Sequence, residues 1–188
     1  MPNNFGAYHL ASAANDLYEP MRTNAFRFLV TDLDGLVRAD SDDVIQNAQE
    51  LLEFSVVSAT VPTFTQDVIT IRRGNSVMKA AGIPSFNEGE LVIKDYMGAD
   101  GKSILLAWQN LSYNVKGQTI GHMSQHRKDC YLIEYSPDYS RIVRQWILHG
   151  CWISGISQDA FNVEEGGERN VTATIQYDWA EQMLSDEE

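Results

Sequence analysis

Val171-Thr-Ala-Thr-Ile-Gln-Tyr-Asp178 alternates apolar and polar residues without a break. Neighbouring side chains of a strand point to opposite faces, so Val171, Ala173, Ile175 and Tyr177 share one face and Thr172, Thr174, Gln176 and Asp178 the other. One face belongs in a core and the other in water, the usual condition of an antiparallel strand. Working outward, Cys130 to Tyr135 and Ile142 to Ile153 read as strands separated by Ser136-Pro-Asp138, a turn by its chemistry. Phe26 to Leu33 reads as a strand ended by the Asp-rich stretch from Asp32 to Asp43, and Phe54 to Val61 as one stopped by Pro62. Val68 to Arg73 and Glu90 to Asp95 are strands flanking Gly74 to Gly89, where Gly82, Pro84 and Gly89 predict a hairpin with an extended loop.

Helical spacing enters once with force. Ile104, Leu105, Trp108, Leu111 and Val115 recur on one helical face between Asp100 and Val115, with Asp100 as candidate N-cap. A shorter helix is predicted over Val44 to Leu52 after Asp42 or Asp43. About seven strands and one principal helix define a mainly β (α+β) chain: an antiparallel β-sandwich or barrel with one flanking α-helix. Residues 1–20 lack periodicity and read as an extended N-terminal arm, and 21–188 as a single β-barrel domain.

The chain of 188 residues is 44% hydrophobic and 10% aromatic, enough for one sizeable core. No apolar run has the length to cross a bilayer, so a soluble protein without membrane insertion is expected. Leu10-Ala-Ser-Ala-Ala14 imitates a signal-peptidase site but lacks the basic and continuous apolar regions before it. Cys130 and Cys151 sit in apolar, strand-like contexts and read as free thiols of a reducing cytoplasm, with a disulfide as the lesser alternative. The net charge of −12 is concentrated late, with nine acidic residues and one basic residue, Arg169, from Gln158 onward. Such a balance opposes tight nucleic-acid binding, and Asp186-Glu-Glu188 reads as a solubilising tail.

Val30-Thr-Asp-Leu-Asp-Gly-Leu36 resembles the first motif of haloacid-dehalogenase-type phosphatases, in which Asp32 would attack phosphorus and Asp34 would act as general acid beside magnesium. Leu36 replaces the usual Thr, Glu164-Glu165 runs into Gly166-Gly167 with no strand before it, and βαβ alternation is missing. A strand running into an acidic turn accounts for the motif better. His122, His126 and Cys130 would align as zinc ligands on a helix, but no apolar stripe supports one there. Gly98-Ala-Asp-Gly101 matches no phosphate-binding loop. The expectation is no catalysis, no cofactor, no metal and no nucleic-acid-binding site. Trp108 and Tyr113 read as core or helix-packing aromatics, and Arg72-Arg73 either as partners for acidic groups of another subunit or as a solvated strand end.

Eight stretches, in order, carry a family likeness: Tyr18-Glu-Pro-Met-Arg-Thr-Asn24, Phe26-Arg-Phe28, Val57-Ser-Ala-Thr-Val-Pro62, Ile71-Arg-Arg-Gly-Asn75, Asp95-Tyr-Met-Gly-Ala-Asp100, Trp108-Gln-Asn-Leu-Ser-Tyr113, Gly150-Cys-Trp-Ile-Ser154 and Thr172-Ala-Thr-Ile-Gln-Tyr-Asp-Trp179. Together they resemble the tail tube protein of contractile-tailed, T-even-type bacteriophages, a family similar in fold to type VI secretion tube subunits. The resemblance implies a structural virion protein: hexameric rings stacked into the hollow inner tube of a contractile tail, assembled in the host cytoplasm. It implies sheath, baseplate, tape measure and tail terminator proteins as partners. Phage DNA would pass an acidic lumen without tight binding. A tail-like bacteriocin or secretion device is the alternative, with the magnesium phosphatase a distant one. Candidate contacts between rings are Tyr18, Glu19, Arg22, Asn24, Arg72, Arg73, Asn75 and Lys79, on the arm and on the excursion after Arg73.

Overall fold

The computed structural model describes residues 21–39, 41, 43–97, 101–160 and 166–184. The arm with Tyr18 and Glu19, the candidate caps Asp42 and Asp100, the Glu164-Glu165 pair and the acidic end lie outside the described residues. Strands are β1 (Phe26–Val30), β2 (Val56–Ala59), β3 (Phe64–Arg73), β4 (Ser76–Phe86), β5 (Gly89–Lys94), β6 (Tyr113–Asn114), β7 (Thr119–Ile120), β8 (Lys128–Tyr135), β9 (Ile142–Gln158), β10 (Asn170–Gln176) and β11 (Trp179–Leu184). Helices are α1 (Ala48–Ser55), α2 (Gly101–Ser112) and the single turn α3 (Met123–His126).

The 17-residue β9 organises the molecule. Its first half lies between β8 and β11, with β1 beyond β8; its second half pairs with β10, followed by β5 and β2. Every one of these pairings is antiparallel. The change of layer falls at Gly150, whose φ of +69° suits a residue without a β-carbon. On the partner side the change falls at Tyr177-Asp178, since Gln176 pairs with Trp152 and Trp179 with His149. Two four-stranded layers thus share one bent strand, a standard way to turn a corner between packed sheets.

The alternation in β10 places Val171, Ala173 and Ile175 against Leu91 and Ile93 of β5 and Ile153 of β9 in one core. Phe28, Val30, Cys130, Leu132 and Leu148 face them from the other layer. Ile104, Leu105 and Trp108 of α2 are fully buried and close the open side of the sandwich. Each such side chain contributes about 1.5–3 kcal/mol by leaving water. The Trp108 Nε1–H donates to the His126 carbonyl at 2.9 Å, so the one polar atom of the ring is satisfied and α3 is tied to the core.

Four sequence expectations change. Gly74 to Gly89 is mostly strand: Ser76 to Phe86 pair back onto β3 from Arg73 to Phe64. Gly82 stands at the irregularity of that ladder, where a β-carbon would meet the Asp67 carbonyl oxygen at 2.8 Å, and Pro84 is tolerated because β4 is an edge strand. The first helix begins at Ala48 and runs through Ser55, so Phe54 is helical and the strand predicted there starts at Val56. β11 shows no clean alternation, and pairing with Arg144 to His149 determines it. Tyr113 is exposed, unlike Trp108, because β6 and β7 form a small ribbon outside the core.

Candidate functional site

The most conspicuous surface is the β3–β4 hairpin. β-Branched residues from Thr65 to Ile71 favour extension, and Gly74-Asn75 closes a two-residue turn with φ +57° at Gly74. The Ser76 hydroxyl donates to the Arg73 carbonyl at 2.9 Å across that turn. At the base, Phe64 packs on Phe86 and Phe86 on Tyr177, with ring centroids 5.5 and 5.9 Å apart. Burial raises the Tyr177 phenol pKa above its ordinary value.

Beyond that anchor the ribbon has apolar side chains on both faces. Ile69 and Ile71 pair with Ala80 and Met78, while Val68 and Val77 lie on the opposite face. Val68, Ile69, Val77 and Met78 are 63%, 52%, 58% and 57% exposed, so neither face is covered by the described chain. A two-stranded ribbon by itself is marginal in water, and apolar surface on both sides marks it as an element that needs a partner. Its far half holds Arg72, Arg73, Asn75 and Lys79, with Asp67 as the hairpin's one acidic residue. It is a basic projection from an acidic chain.

Arg22 and Asn24 are elsewhere, in the segment entering β1. They line a cleft of about 900 Å³ together with Phe26, Phe28, Val56 and Leu132. The cleft lies between β1, which pairs with β8, and β2, which pairs with β5; among the described residues each has one unpaired edge. The Asn24 carbonyl accepts the Tyr139 hydroxyl at 2.8 Å, and Arg27 pairs with Glu53 across the cleft wall. The six candidate contacts among the described residues therefore form two groups, four on the far half of the hairpin and two in the cleft. The free strand edges carried no signal in the sequence, because an edge is defined by what is not beside it.

The other candidates are placed plainly. Asp32 has φ +55° and Asp34 is exposed; the Asp32 carbonyl accepts Lys128 Nζ at 2.8 Å, in an acidic turn after β1. His122 precedes α3, His126 ends it, and Cys130 is in β8 facing the core, so the three do not share a helical face. Among the described residues no group of three or more His, Cys, Asp or Glu side chains is placed to hold a metal ion. Cys130 and Cys151 are free and fully buried, and burial with the neighbouring Cys151 thiol pushes the Cys130 pKa well up. No helix among the described residues is long and apolar enough to cross a membrane.

This bent two-layer sandwich, with its flanking helix and projecting hairpin, has the fold found in components of contractile injection systems and of a tail tube. A chain of the sheath–tube complex of the extracellular contractile injection system PVC, in its extended state, is similar with a TM-score of 0.64 at 15% identity, covering 90% of this chain and 95% of that one. A chain of the anti-feeding prophage tube-terminating cap gives 0.63 at 14% identity, covering 88% and 92%. The SPP1 tail tube gives 0.50 at 8% identity, covering 89% and 81%. No protein-family model and no curated protein matches the sequence.

Proposed function

We propose that this chain is a structural subunit of the hollow tube of a contractile tail, built from hexameric rings that stack end to end. The observation that carries the reading is the β3–β4 hairpin, a ribbon with both faces exposed on a fold shared with tube-bearing contractile devices. Rings need heterologous contacts that close by rotation, and stacking needs a second set that stays open and generates a filament. The hairpin tip with Arg72, Arg73, Asn75 and Lys79 serves stacking. So do Arg22 and Asn24, which line the cleft beside β1. The free edges of β1 and β2 are covered by neighbouring copies, which removes an aggregation hazard.

The role is structural, not enzymatic. Sheath, baseplate, tape measure and terminator proteins are its partners, and in a phage the subunits assemble in the host cytoplasm into a virion tail through which DNA leaves. The same subunit would serve a tail-like bacteriocin or secretion device. Electron microscopy and sedimentation of the purified protein, alone and with a tail-initiating baseplate, test the reading: rings or tubes are expected. A stable monomer under both conditions overturns it.

A further inference from the structure

Two exposed apolar features stand at opposite ends of one sheet. The hairpin grows from Ala59 and Gly89, at one end of the paired strands β2 and β5. The other end holds Val56, paired with Ile93, and there α1 finishes and α2 begins, with Gly101 packed against Ile93 and Ser55. At that end Phe54 is 70% exposed, and its ring lies on Tyr96 with centroids 5.4 Å apart. Met97, next in the chain, is fully exposed. The buried side of α1 is Ala48, Leu52 and Ser55, so Phe54 adds nothing to the core of its own chain. Three large apolar side chains gathered in water are unfavourable until another surface covers them. Charge points the same way. Asn170 pairs with Lys94, which brings Asp159 and Glu168 to this end. Arg27, Lys94 and Arg169 are engaged by Glu53, Glu168 and Asp95. That leaves Glu50 and Asp159 exposed against a part-buried Lys102.

We infer that Phe54, Tyr96 and Met97 form the seat that receives the β3–β4 hairpin of a second copy. The inference rests on the tube reading and names the receiving surface that reading needs. The hairpin matches the seat in both respects. Ile69, Ile71 and Met78 share one of its faces and bring apolar surface, while Arg72, Arg73 and Lys79 outweigh Asp67 and bring positive charge to Glu50 and Asp159. Apolar contact supplies the affinity, and the opposite charges select the partner and its orientation. Hairpin and seat are different surfaces at opposite ends of one sheet, so the contact is heterologous. Each filled seat leaves a hairpin free at the far end of the row, and the row stays open to growth.

Cross-linking with a short bis-maleimide tests the contact, because the native thiols Cys130 and Cys151 are fully buried. Met78→Cys and Met97→Cys are made in separate chains, with Phe54→Cys as a second position on the seat. Tubes of any one variant alone should give no cross-linked chains, and tubes co-assembled from the hairpin variant and a seat variant should give dimers. One chain carrying Met78→Cys and Met97→Cys together should give a ladder of multimers. Cross-linking within tubes of a single variant would make the contact self-complementary, and mixed tubes without dimers at either seat position would place the receiving surface elsewhere. As a second measurement, Phe54→Asp with Met97→Asp should raise the concentration needed for tube assembly by about tenfold or more. Circular dichroism should stay native, because both side chains are exposed. Unchanged assembly of that variant overturns the inference while wild-type tubes remain; absence of wild-type tubes in micrographs overturns the tube reading itself.

Discussion

Gly150 and Asp178 meet where the two layers join: a β-carbon on Gly150 would lie 2.6 Å from Asp178 Oδ2. Asp178 is held there by Arg127, whose Nη1 is 2.8 Å from the same oxygen, and its backbone N–H donates to the His149 carbonyl at 2.9 Å. The bend of β9 and the break between β10 and β11 are therefore one feature seen from two strands. Gly150→Ala should destabilise the fold by about 1–2 kcal/mol through the left-handed backbone alone, before any adjustment of Asp178. Urea unfolding measures it, and a change below about 0.5 kcal/mol would mean that the bend does not need this glycine.

Trp108→Phe keeps most of the buried ring but removes the Nε1–H that satisfies the His126 carbonyl. The expected cost is about 1–3 kcal/mol for the orphaned acceptor, against about 3–5 kcal/mol for Trp108→Ala, which also leaves a cavity. Equal losses in the two variants would show that the hydrogen bond contributes nothing beyond the packing.

Reversing the hairpin tip with Arg72→Glu and Arg73→Glu together should raise the concentration needed for tube assembly by about tenfold or more, since charges at a contact choose partners by complementarity. Subunit stability should stay within about 0.5 kcal/mol, because both residues are exposed and far from the core. Assembly at the wild-type concentration would remove the tip from the contacts between rings.

Thiol alkylation reports the core directly. Burial keeps Cys130 protonated far above neutral pH, and the thiolate is the reactive form. The folded protein should resist alkylation at pH 8, and both cysteines should react once denaturant passes the unfolding midpoint. Rapid labelling of the native protein would place at least one thiol outside the core.

Local chemistry in the sequence was enough to determine the class of fold. The alternation of Val171 to Tyr177 survives as β10, and the helical spacing of Ile104, Leu105 and Trp108 survives as the buried face of α2, because period alone decides which side chains share a face. The ordered set of short motifs pointed to the tube family, and the same fold recurs in contractile devices. Pairing between distant segments decided the rest. Ser76 to Phe86 contains the turn-forming Gly82 and Pro84 yet is a strand, because β3 supplies a partner for it. β11 exists because β9 has a free edge beside Arg144 to His149, and the cleft with Arg22 and Asn24 exists because β1 and β2 end two different layers. A sequence carries the periodicity of each strand, but strand edges, corners and outward faces are properties of which strands become neighbours, and only the tertiary structure decides that.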